Sequence, residues 1–94
     1  MNKLTDAFPK IEKNQVVLVR AEYSTGIVLN DKFEYCKNGV GRSSIFENIE
    51  LAKKYIEQCQ SNRNDTEYIV YGKSQNVLLY ITPNGQFDRN LENI

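Results

Sequence analysis

The five residues Val77-Leu78-Leu79-Tyr80-Ile81 are apolar or aromatic without interruption. A strand with that reading has no polar face to give to water, so both of its faces call for burial. Elsewhere the chain offers one convincing helix, and one helix covers one face of a sheet. The sequence therefore implies a sheet with a second apolar face whose cover is not obvious.

The helix rests on periodicity. On a wheel at 100° per residue, Ile49, Leu51, Ala52, Tyr55, Ile56 and Cys59 form one arc, and Glu50, Lys53, Lys54, Glu57 and Gln58 fill the other. Asn48 is placed as an N-cap, Glu50 lies in the first turn where the helix dipole favours an acid, and Glu50 to Lys54 is the favourable i,i+4 order. The polar run Ser61-Asn62-Arg63-Asn64-Asp65 ends it.

Strands flank the helix on both sides. Val16 to Tyr23 is rich in β-branched residues and gives the first, and Lys32-Phe33-Glu34-Tyr35-Cys36 alternates and gives the second. Either Ser24-Thr25-Gly26 or Asn30-Asp31 makes the turn between them, and Ile27-Val28-Leu29 either extends the first strand or begins the second. After the helix, Thr66 to Tyr71 and Val77 to Thr82 form a hairpin across the loop Gly72 to Asn76. The expected fold is α+β: a two-layer ββαββ sandwich whose mostly antiparallel four-stranded sheet carries one amphipathic helix on one face. Its 94 residues form a single small domain, with residues 1–14 as an irregular lead-in and 83–94 as a polar tail.

Pairing parity assigns the faces. A five-residue loop sets Tyr71 opposite Val77 and Ile69 opposite Leu79, so Ile69, Tyr71, Val77, Leu79 and Ile81 share the helix side. Val17, Val19, Ala21 and Tyr23 join them. The open face then holds Leu18, Arg20, Tyr68, Val70, Leu78 and Tyr80, a patch of the kind found at interfaces, where tyrosine and arginine are enriched. A register slip of one residue would exchange the two faces. The sequence leaves three covers open: the chain's own terminus, a second copy or a target protein.

Composition removes several function classes. Lys plus Arg equals Asp plus Glu, 12 of each, so the basic footprint of a phosphate-neutralising protein is missing and nucleic acid is not an expected partner. No stretch approaches the roughly 20 apolar residues of a membrane span, and residues 1–6 lack a secretory apolar region, so the expected address is cytoplasmic with no membrane partner. There is no histidine, which excludes Ser-His and Cys-His nucleophiles and an imidazole base. No pair of acids has a spacing that calls for a shared cleft. Cys36 and Cys59 stand apart without a CxxC, and are read as small buried hydrophobes. No cofactor, metal or catalytic activity is expected.

Two functions remain. The first is a protein-interaction module, a stoichiometric inhibitor or immunity-type protein of bacterial or phage origin, acting on a protein partner or as a homodimer through the open sheet face. In size and element order the chain resembles many small bacterial or phage-encoded ββαββ proteins, some of which neutralise toxins or block host enzymes; the resemblance carries no residues across. The alternative is a small-ligand or nucleotide-binding domain in which Gly39, Gly41, Arg42, Ser43 and Ser44 form an anion-binding loop. That loop lacks both the dinucleotide fingerprint and the P-loop Lys-Ser/Thr pair.

Overall fold

The structure, a computed structural model, describes residues 9–36 and 41–87. Its elements run β1 (Val16–Glu22), β2 (Val28–Leu29), β3 (Ser43–Phe46), α1 (Ile49–Gln60), β4 (Thr66–Tyr71), β5 (Val77–Thr82) and β6 (Gly85–Phe87). All pair antiparallel in one sheet of order β2-β1-β4-β5-β6, with β3 also paired to β1. Since β4 takes one edge of β1, β2 and β3 lie end to end along the other. The α+β arrangement of one helix on an antiparallel sheet is the expected one, with two short strands more than four.

The helix begins where Asn48 Oδ1 accepts from the Leu51 amide at 2.9 Å, as its capping role requires. Ala52 and Ile56 are buried and Ile49, Tyr55 and Cys59 half-buried, whereas Leu51, at the margin of the apolar arc, is 44% exposed. Cys36 and Cys59 form no disulfide with each other, and each is half-buried instead of enclosed.

The front of the chain departs from expectation. Both candidate turns are used. Gly26, at φ +77°, closes the first, its amide reaching Glu22 O at 2.7 Å. Asn30 makes the second, its side chain accepting from the amides of Lys32 and Glu34. That second turn consumes most of Lys32 to Cys36, where a strand was expected, and Tyr35 retains a single bridge to Leu29. The second strand is instead Val28–Leu29. Ser43 and Ser44, expected in a loop, open β3, and Gly85 to Phe87, expected in the tail, form β6.

The largest correction concerns the sheet faces. Tyr71 does pair with Val77, but the next pairs are Val70 with Leu79, Ile69 with Tyr80 and Tyr68 with Ile81, because a bulge interrupts the ladder between Val70 and Tyr71. One extra residue on β5 reverses the parity of β4 relative to β5. β1 follows, since Leu18 pairs with Val70 and Arg20 with Tyr68. Val16, Leu18, Tyr68, Val70, Leu79 and Ile81 accordingly form one cluster with Ala52 and Ile56 of the helix. Leu79 and Ile81 face the helix as parity predicted, but β1 and β4 present the opposite faces.

Candidate functional site

Of the six residues expected on the open face, Leu18, Arg20, Tyr68 and Val70 have 0% exposure and lie on the helix side. Leu78 packs against the helix-side cluster, carried there by the bulge. Tyr80 alone keeps its assigned side, where its hydroxyl donates to Glu67 Oε1.

The face away from the helix is apolar all the same. By register it carries Val17, Val19 and Ala21 of β1, Ile45 of β3, Glu67, Ile69 and Tyr71 of β4, and Tyr80 of β5. Val19, Ile69, Tyr71 and Tyr80 are half-buried, and Ile45 is 48% exposed. Burial raises the pKa of Tyr71, with the Glu67 carboxylate on the same face adding to the effect. Part of this face is enclosed. Val17 has 0% exposure and Ile11 of the lead-in only 7%, yet neither belongs to the helix-side cluster. The lead-in reverses direction where the Gln15 amide meets Glu12 O at 3.1 Å, with Asn14 at φ +77°.

The expected anion loop acquires a residue the sequence did not assign to it. Gly41 adopts φ +73°, and its carbonyl accepts from Arg20 Nη2 at 3.4 Å. Arg20 Nη1 donates to Ser44 Oγ at 3.0 Å and Tyr55 Oη at 3.2 Å, and Nε donates to Asn30 O at 3.1 Å. The guanidinium also stands 5.8 Å from the Tyr55 ring centroid. It thereby joins the Asn30 turn, the Gly41 turn, β3 and α1 through one buried group. None of its four acceptors is a carboxylate, and Arg63–Asp65 is the one ion pair among the described residues. The Arg42 Nε is buried without a hydrogen bond, and Gly39 lies outside the described residues. Four neutral acceptors already engage the Arg20 fork, so its observed role is to hold elements together.

Two hollows lie among the described residues. One, of about 580 Å³, lies at the end of the sheet over Val16, Ile49 and Leu78, with Glu47, Asn48 and Lys73 at its rim. The other, of about 480 Å³, lies beside the last helical turns and is lined by Phe33, Tyr55, Gln58, Cys59, Asn62 and Arg63. Among the described residues no group of three or more His, Cys, Asp or Glu is placed to hold a metal, and no helix is long and apolar enough to cross a membrane. Comparison with protein-family models, curated proteins and solved structures gives no match in any of the three.

Proposed function

We propose that this chain is a protein-binding module whose contact surface is the sheet face opposite the helix. One observation carries the reading: the sheet is apolar on both sides, its one helix covers one side, and Ile45, Val19, Ile69, Tyr71 and Tyr80 remain partly exposed on the other. Aromatic and aliphatic residues around a hydrogen-bonded Tyr80–Glu67 pair make an apolar centre with a polar group at hand, as interface cores do. A stoichiometric inhibitor or immunity-type protein acts through such a surface without chemistry of its own. Bacterial or phage origin and a cytoplasmic address belong to the same proposal.

The test compares the native chain with the double variant Ile45→Asp, Ile69→Lys, matched for melting temperature, in affinity capture and in light scattering after size exclusion. A protein retained stoichiometrically by the native chain and lost by the variant supports the reading. A native dimer that the variant converts to monomer makes the partner a second copy. A monomeric native chain whose captured proteins are the same as the variant's refutes the reading.

A further inference from the structure

The sheet face opposite the helix carries a single carboxylate, and its placement is fixed from two directions. Glu67 pairs with Ala21 of β1, which sets it on the side away from Arg20 and the helix. Tyr80, facing Ile69 across the ladder of β4 and β5, donates its hydroxyl to Glu67 Oε1. Among the strand residues that register places on this face, no other is acidic and none is a lysine or arginine. The one ion pair among the described residues, Arg63–Asp65, belongs to the segment between α1 and β4.

Glu67 is half-buried beside the apolar residues Val19, Ile69 and Tyr80. An ionised carboxylate offers about four acceptor sites, and the Tyr80 hydroxyl uses one. When a partner covers this face, water leaves the carboxylate. Apolar cover alone would strand an ionised group, whereas a cation set against it keeps the charge paired. A second copy pressed on by the same face would not supply that cation, because it brings only another Glu67.

We propose that the partner is a different protein whose contact segment sets a lysine or arginine against Glu67, with apolar or aromatic side chains beside it for Val19 and Ile69. The inference rests on the sheet face being the contact surface and adds the partner's chemistry to it. An arginine fork can engage a carboxylate through two parallel bonds, and so suits the site best.

Selection from a phage-displayed library of random peptides tests it. Peptides that bind the native chain and lose affinity for Ile69→Ser, a charge-neutral substitution, are binders of the face. They should share one lysine or arginine among apolar residues. Glu67→Gln keeps an acceptor for Tyr80 but removes the charge, and should weaken them about tenfold or more. A charge exchange gives the second readout: a binder with glutamate in place of its basic residue should fail on the native chain and bind Glu67→Lys. Face-dependent binders that share no basic residue, or that bind Glu67→Gln as tightly as the native chain, would overturn this inference and leave the face reading in place. A native dimer that Ile69→Ser disperses would overturn it as well. Binders all indifferent to Ile69→Ser would remove the face reading and this inference with it.

Discussion

Replacing Arg20 with methionine isolates what the buried guanidinium does. Methionine keeps an unbranched stem of similar length, so the packing of the aliphatic part is largely retained. The substitution deprives Asn30 O, Gly41 O, Ser44 Oγ and Tyr55 Oη of their donor. The two hydroxyls can rotate toward other partners, but the two carbonyls are fixed by their turns. Asn30 O keeps its bond from the Phe33 amide at 2.9 Å, whereas an orphaned Gly41 O costs about 1–3 kcal/mol; with about 0.5–1 kcal/mol for each of the other three lost bonds the total is about 4 kcal/mol, and relief of guanidinium desolvation offsets part of it. The net expectation is a loss of about 3 kcal/mol. Against a total of roughly 5–14 kcal/mol for a domain of this length, that is a large share.

Urea unfolding followed by far-UV circular dichroism reads the effect. With a slope of about 1 kcal/mol/M for a small domain, the midpoint should fall by roughly 3 M. Arg20→Lys should fare no better, because an ammonium retains the buried charge without the fork that reaches four acceptors. An Arg20→Met midpoint equal to or above the native one would refute the reasoning. The guanidinium bonds would then do no more than balance the group's own desolvation.

Other expectations follow from the corrected faces and the buried phenols. Leu78→Asp should lose several kcal/mol in chemical denaturation, because it sets a charge against the helix-side cluster, whereas Ile45→Asp at an exposed edge position should stay within about 1 kcal/mol of native. Burial raises the pKa of Tyr68, Tyr55 and Tyr71, so the folded state keeps protons that the unfolded chain releases above about pH 10. Stability should therefore be level below that pH and fall as pH rises beyond it, and Tyr68→Phe should make the decline shallower; a decline unchanged by the substitution would remove Tyr68 as a contributor.

Different elements were legible to different degrees, for physical reasons. α1, β4 and β5 follow from a full helical period and two clear hairpin strands, and β4 and β5 match their expected spans residue for residue. The bulge left no trace because Val77 and Leu78 are both apolar, so a slipped residue breaks no alternation. That single invisible residue moved Leu18, Arg20, Tyr68 and Val70 from the expected surface to the core. Arg20 was misleading in itself, since a charge in a strand reads as solvent-facing, and the acceptors that bury it come from positions 30, 41, 44 and 55. β2 and β3 were missed because two and four residues are too short to show a period, and Ser43-Ser44 has the composition of a loop. The second apolar face survived these corrections, because both faces of β1, β4 and β5 are apolar in either register.

Nuclear Overhauser contacts of the helix with β4 test the central claim about the faces most directly. Tyr68 and Val70 belong to one cluster with Ala52 and Ile56, so the Tyr68 ring and Val70 methyl protons should show strong contacts to the Ile56 methyls and the Ala52 methyl. Ile69 and Tyr71 should show none. Contacts from Ile69 or Tyr71 to Ile56, with Tyr68 and Val70 silent, would return β4 to the register without a bulge and put the proposed binding face under the helix.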